Sequence, residues 1–317
     1  MIDVLTIGRV GVDIYPRQIG TRLEDVDVFG KFLGGSPTNV AVAAARLGKR
    51  AAVITRTGDD PFGRFVHRAL RDFGVDDAWV TQVRDLPTPV TFCEIFPPDE
   101  FPLYFYRLPI APDLCIEPHE IPEGAVRDAP IYWSTLTGLS RQPSRDAHRH
   151  AWELRGRAEH TVIDLDYRPM FWDQVREARE AAAMALSRCT VAIGNREECE
   201  VAVGEADPDK AADALLDRGV RIAVVKQGPN GVLVRTEAES HVIPPFSVKA
   251  VNGLGAGDAF GGAFCAGLLD GLPIAETVRR ANAAGAIVAG RLECSSAMPT
   301  ADEIDRLLSQ GQGEVDP

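Results

Sequence analysis

The chain has 317 residues, and 34 Lys and Arg against 46 Asp and Glu give a formal charge of −12. A hydrophobic fraction of 45% and a charged fraction of 25% fit a folded globular chain and exclude a disordered one. The acidic balance also excludes broad contact with nucleic acid or an anionic membrane, which need basic surface, yet leaves room for a small anion held by a few arginines and backbone amides.

The first predicted strand is Val4 to Ile7, apolar and closed by Gly8. A helix is predicted from Pro37 to Leu47, with proline near its start and Gly48 at its end. A strand at 51–55 follows, then a helix from Pro61 to about Phe73, stopped at Gly74. Short buried strands are expected at 131–134, 161–165, 191–193 and 222–226, with helical stretches at 144–158, 174–187 and 209–218. A strand pair around 231–243 leads through a glycine-rich turn into two small-residue helices, 256–269 and 274–289. The alternation predicts right-handed crossovers and an α/β fold with a doubly wound, mostly parallel sheet and helices on both faces.

Two segments break the rhythm. Residues 13–33 and 88–107 have little helical pattern, and the second alternates aromatic and polar residues (Phe92, Ile95, Phe101, Tyr104, Tyr106). They read as a small β-sheet lid, with ordinary long loops as the alternative. The expected organisation is an α/β domain built from 1–12, 34–87 and 108–310, a β lid from 13–33 and 88–107, and a frayed polar tail at 311–317. Met1-Ile2-Asp3 lacks a basic leader region, and no apolar run approaches the roughly 18 residues of a membrane span. Six scattered cysteines without a C-x-x-C pair fit reduced, buried thiols in a cytoplasmic protein. His148 and His150 lie in a charged helical stretch and read as a solvated face rather than a metal pair.

The strongest chemical feature is Gly253-Leu254-Gly255-Ala256-Gly257-Asp258 ahead of an apolar helix. Glycines there let free backbone amides converge at a helix N-terminus, where an anion is favoured. Asp258 is either a first-turn acid favoured as a cap or a base that accepts a proton from an attacking hydroxyl. The P-loop G-x-x-x-x-G-K-[ST] and the dinucleotide fingerprint G-x-G-x-x-G are both absent. Gly34-Gly35-Ser36-Pro37-Thr38-Asn39 opens the helix at 37. It is either a glycine turn with a helix start or a close-approach loop whose Asn39 offers a donor and an acceptor to a hydroxyl. Asp13 lies just beyond the first strand, where α/β proteins place ligands.

Together, Gly34-Gly35 with Asn39, Gly58-Asp59-Asp60 with Gly63, Asn195-x-x-Glu198, Lys226-x-Gly228-x-x-Gly231 and Gly255-Ala256-Gly257-Asp258 resemble, in order, the motifs of ribokinase-like (PfkB-type) sugar kinases over residues 1–310. The resemblance implies transfer of the γ-phosphate of ATP to a sugar hydroxyl. It makes Asp258 the base, Gly255, Ala256, Gly257 and Asp258 the anion hole, and Asn195 and Glu198 holders of Mg²⁺ through water. Lys226, Gly228 and Gly231 would line the nucleotide phosphates, with Asn282 beside the base of ATP. Many members carry Asp-Thr-Thr where this chain has Asn252-Gly253-Leu254, which leaves K⁺ activation open. The lid sheets of relatives often pair between subunits, which implies a homodimer through the lid.

Further stretches narrow the substrate: Ile7-Gly8-Arg9 with Asp13, Tyr106-Arg107, Pro143-Ser144-Arg145, Leu165-Asp166-Tyr167-Arg168-Pro169 with Trp172, Gly194 to Glu198, and Ser295 to Thr300. They resemble the branch that phosphorylates 5-dehydro-2-deoxygluconate in myo-inositol catabolism. Arg107 and Arg168 suit a sugar carboxylate, or else are structural ion pairs. A 2-keto-3-deoxygluconate kinase fits the same residues, other PfkB-type kinases of fructose or ribose fit the general motifs, and a non-catalytic binding regulator is the reading from another class.

Overall fold

The computed structural model describes residues 1–310, and the expected tail at 311–317 lies outside the described residues. The chain opens with strands β1 (Val4–Ile7), β2 (Gly11–Pro16) and β3 (Phe29–Gly34), then α1 (Ser36–Arg46), β4 (Ala51–Gly58), α2 (Pro61–Asp72) and strands β5 (Val75–Asp76), β6 (Val80–Val83), β7 (Val90–Cys93) and β8 (Leu103–Tyr106). The regular alternation follows as α3 (Glu123–Asp128), β9 (Ile131–Thr135), α4 (Ser144–Arg155), β10 (Thr161–Asp164), α5 (Val175–Leu186), β11 (Val191–Asn195), α6 (Arg196–Val203), α7 (Pro208–Asp217) and β12 (Ile222–Lys226). It ends with the hairpin β13 (Val232–Thr236) and β14 (Ser240–Ile243), then α8 (Ala256–Leu269), α9 (Ile274–Ala289) and α10 (Ala301–Gln310).

The main sheet runs β14-β13-β12-β11-β10-β9-β1-β4-β5, with β6 also on β4. Only β13 and β14 run antiparallel to their neighbours. Successive residues of a strand point to opposite faces, so each strand feeds two cores. Val4, Ile131 and Trp133 pack under α1, α8 and α9, whereas Leu5, Ile7 and Tyr132 pack under α4 and α5. The small residues of α8 have a packing reason. A side chain at Gly262 would overlap Ala43 of α1, and one at Gly261 would lie 2.6 Å from the Trp133 ring. That close seat draws the N-terminus of α8 up to that of α1.

The irregular segments form a four-stranded sheet in the order β3-β2-β7-β8. β2 pairs antiparallel with β3, from Gly11 opposite Gly34 onward, and parallel with β7. The pairing runs from Gly11 to Gly34, beyond the expected 13–33, because these two residues complete the ladder. Helices α3, α6 and α10 and the short strands β5 and β6 had no counterpart in the sequence reading. Among the described residues no helix is long and apolar enough to cross a membrane, and all six cysteines are free.

One expectation is overturned. His148 is fully buried, on the α4 face that carries Ala147, Ala151 and Trp152 into the core. Its Nδ1 donates to Ser144 O at 2.8 Å, and its Nε2 sits over Gly138, where a Cβ would be 2.5 Å away. The charged neighbours that suggested a solvated face occupy the other side of the helix.

Candidate active site

A cleft of about 420 Å³ lies under the lid, where the carboxyl ends of β1, β10, β11 and β12 meet the N-termini of α1 and α8. It gathers Asp13, Gly35, Asn39, Arg107, Arg168, Asn195, Glu198, Lys226, Gly228, Gly255, Gly257 and Asp258 from the sequence reading. Gly34, Gly231, Ala256 and Asn282 are not in its lining. Gly34 supports it from behind, since a side chain there would overlap the Asp13 carboxylate. Ala256 is the first residue of α8, Gly231 turns the chain into β13, and Asn282 donates to Pro244 O at 2.8 Å.

Gly255 caps α8 in a left-handed conformation, φ +83°, and a Cβ there would be 2.8 Å from Cys294 Sγ. Both facts require glycine. The first helical bond runs from Ala259 N to Gly255 O, and no side chain caps the turn. The amides of 256–258 therefore stay available to an anion. Asp258 enters from this turn. Its Oδ1 accepts from Ser36 Oγ at 2.7 Å and its Oδ2 from Asn39 Nδ2 at 2.8 Å. Burial pushes its pKa up, while those two bonds pull it down. Asn39 thus reaches a carboxylate before it reaches any ligand.

Lys226 ends β12, and its Nζ lies 3.3 Å from where a Cβ on Gly257 would project. Burial disfavours its charge, but Asp164, Glu198 and Asp258 outweigh burial and raise its pKa. An ammonium and a helix N-terminus facing one gap attract an anion between them. Asn195 and Glu198 form a capping box at α6: Asn195 Oδ1 accepts from Glu198 N at 2.9 Å, and Glu198 Oε2 from Asn195 N at 2.7 Å. The spacing therefore has a local structural cause. Glu198 Oε1 remains free of protein partners among the described residues, facing the cleft with Asp164, whose pKa burial raises. Two carboxylates in this position match Mg²⁺, which keeps most of its water and takes its other ligands from phosphates. The residues present fit that ion.

Asp13 Oδ2 accepts from Tyr15 Oη at 2.9 Å, and burial lifts its pKa to about 6. In the same lining, Asp166 joins two guanidiniums. Arg9 Nη2 donates to its Oδ2 at 2.7 Å, and Arg168 Nη2 lies 2.9 Å from its Oδ1. Burial alone would raise the Asp166 pKa, but Arg168 and Arg9 hold it well below the usual range. Arg107 Nη2 donates to Asp113 Oδ2 at 2.7 Å. Arg9 and Arg107 both stack on Phe171, at 5.8 and 5.2 Å from its centroid. Both predicted arginines are thus ion-paired and line the cleft together. Arg9, Asp164, Asp166 and Ser36 were not singled out from the sequence as site residues. Their signal was a charged or polar residue at a strand end or in a glycine loop, and only the fold brings them into register.

Residues 1–301 match the family described as pfkB family carbohydrate kinase. A relative from Geobacillus thermodenitrificans, named 5-dehydro-2-deoxygluconokinase, is 35% identical over 316 residues, covering 97% of this chain and 93% of that protein. The PfkB protein of Polaromonas superposes with a TM-score of 0.83 at 27% identity, covering 93% of this chain and 98% of that one. A fructokinase from Vibrio cholerae, solved with fructose, ADP and calcium, gives 0.84 at 26% identity over 97% and 99% of the two chains.

Proposed function

The chain belongs to the pfkB family of carbohydrate kinases, and we propose that it transfers the γ-phosphate of ATP to a hydroxyl of a sugar acid, 5-dehydro-2-deoxygluconate. The observation that carries the acid-sugar reading is a group of guanidinium donors left without partners in the cleft. Three guanidiniums (Arg9, Arg107, Arg168) line the cleft, and their ion pairs with Asp166 and Asp113 take up only some of their N–H groups. Arg9 Nε and Arg168 Nε are buried without partners among the described residues. A sugar carboxylate supplies charged acceptor oxygens to these donors, whereas a neutral sugar offers only uncharged acceptors.

In this reading the Asp13 carboxylate accepts hydrogen bonds from sugar hydroxyls, and Asp258 takes the proton of the attacking hydroxyl. Burial raises the pKa of Asp258, making it a better base than an exposed aspartate. The free amides of 256–258 and Lys226 stabilise charge on the transferring phosphoryl group. Asp164 and Glu198 would hold Mg²⁺, which supplies charge neutralisation at the phosphate oxygens. The lid excludes water, which would otherwise compete as acceptor. Gly228 lies along the same wall as Lys226, on the nucleotide side, and Gly231 and Asn282 serve the nucleotide from outside the lining.

Two further readings rest on specific contacts. Buried Asn252 donates Nδ2 to Leu292 O at 2.7 Å and accepts from Leu254 N at 3.0 Å. An amide donor there occupies one lone pair of the Leu292 carbonyl, which favours a K⁺-independent enzyme; unchanged turnover when K⁺ is replaced by tetramethylammonium supports this reading and a loss refutes it. The lid exposes Tyr104, Tyr106 and Phe29 around Phe92. This patch suits a second copy of the lid, and sedimentation of Tyr106→Asp against wild type tests it.

The main test is ADP release with 5-dehydro-2-deoxygluconate, 2-keto-3-deoxygluconate, fructose and ribose. Asp258→Asn lowers kcat by about 10²–10⁴ with little change in KM for ATP, and near-wild-type turnover removes the base. Arg9→Met penalises acids more than neutral sugars, and equal losses refute the carboxylate reading. Preference for 2-keto-3-deoxygluconate keeps the class and changes the acceptor.

A further inference from the structure

The two aspartates of the reaction reach back, by separate routes, to two consecutive residues. Cys294 and Ser295 lie at the start of a single 3-10 turn (Ser295–Ala297) between α9 and α10, and both are buried. Tyr15 Oη donates its one proton to Asp13, so at its 2.8 Å contact with Cys294 Sγ the thiol is the donor. Next along the chain, Ser295 Oγ lies 2.6 Å from Asn39 Oδ1 and 2.7 Å from Leu33 O, and shares its proton between them. The Asn39 amide is therefore held at both ends, since the Asp258 carboxylate accepts only and takes its NH₂. With its oxygen toward Ser295, its NH₂ is turned to Asp258, 2.8 Å away. Without the serine, the Asn39 side chain keeps its bond to Asp258 but loses the anchor at its oxygen.

The groups joined in this way come from three elements. Asp13 and Tyr15 sit on lid strand β2, Asn39 on α1 and Asp258 on α8. Cys294 Sγ also abuts Gly255, the residue that opens the anion-binding turn.

We propose that Cys294-Ser295 is a positioning dipeptide: Cys294 aligns the sugar-binding carboxylate through Tyr15, and Ser295 aligns the base through Asn39. Neither residue is catalytic. The inference rests on the roles proposed above for Asp13 and Asp258, and it predicts a division of labour between neighbours. Losing the thiol loosens Asp13, which acts on binding. Losing the hydroxyl loosens Asp258, which acts on the proton transfer. A residue that merely fills space would move both constants together.

The experiment measures kcat and KM for 5-dehydro-2-deoxygluconate at saturating ATP in the full-length enzyme, with melting curves to establish folding. Ser295→Ala lowers kcat about tenfold with KM within twofold, the factor expected when one buried hydrogen bond is lost. Cys294→Ala raises KM about tenfold with kcat within twofold on the same grounds, and Cys294→Ser, which keeps a donor, restores the wild-type value. In an Asn39→Ala background Ser295→Ala has no further effect on kcat, and in a Tyr15→Phe background Cys294→Ala has none on KM. Should Ser295→Ala not fold, Ser295→Cys, close in volume and a weaker donor, moves kcat the same way. Additive losses in the paired backgrounds overturn the proposal, as do parallel changes of kcat and KM or wild-type constants in both single variants. A fully active Asp258→Asn overturns the base assignment and the proposal with it. An inactive Asp258→Asn beside an unaffected Ser295→Ala overturns the positioning role alone.

Discussion

Replacing Asp13 by asparagine stabilises this protein at neutral pH while weakening its hold on sugar. The carboxyl is buried, and its pKa stands at about 6 against 3.8 for an ordinary aspartate. At about 1.4 kcal/mol per pH unit, that gap means ionised Asp13 costs the folded state about 3 kcal/mol. The sign follows from proton counting. Below pH 3.8 the carboxyl is protonated in both states and costs nothing. Between 3.8 and about 6 the unfolded chain has released its proton while the folded one keeps it, so stability falls as pH rises. Above 6 the full cost is present. Asparagine has nearly the same shape, still accepts the Tyr15 hydroxyl and carries no charge at any pH. Denaturation of wild type and Asp13→Asn from pH 4 to 8 therefore shows curves that coincide at the acid end and diverge through this window. The variant is ahead by about 3 kcal/mol at pH 7.5, and its KM for the sugar acid is raised. A pH-independent difference, or a less stable variant at pH 7.5, refutes the reasoning.

Gly34→Ala puts a methyl into the Asp13 carboxylate. KM for the sugar then rises more than about tenfold, since displacing the group loses at least one buried hydrogen bond, while KM for ATP stays at the wild-type value. Steady-state kinetics with each substrate varied separately checks this split. His148 is buried neutral, with its pKa lowered to about 4 from 6.5. The unfolded chain therefore binds the extra proton first, and stability drops by about 3 kcal/mol as pH falls from 6.5 to 4. A His148→Gln variant lacks this acid-side loss in the same denaturation series.

Much of the scaffold was legible in local pattern. Helices 256–269 and 274–289 and strand 222–226 were read to the residue, because apolar runs between glycines and prolines mark their own ends. Helix α6 was missed for a related reason. Its Asn195-x-x-Glu198 start was read only as a ligand pair, although the same spacing makes the capping box that begins the helix. His148 was misread because the charges beside it hid which face of α4 turns inward.

What the sequence determined by itself was the alternation that builds a parallel sheet, the glycine-rich helix start carrying Asp258, and a charge too negative for a polyanion partner. What only the tertiary structure decided was convergence. Asp258 takes its hydrogen bonds from Ser36 and Asn39, which are 222 and 219 residues away in the chain, and Arg9 meets Asp166 across 157. Local spacing dictates helix faces and strand pleat within a few residues. The order of strands in the sheet fixes which loops share an end, and here that order brings β1, β10, β11 and β12 to one cleft. That is why an acidic chain gathers arginines, a lysine and free helix amides into one cleft although its sequence keeps them far apart.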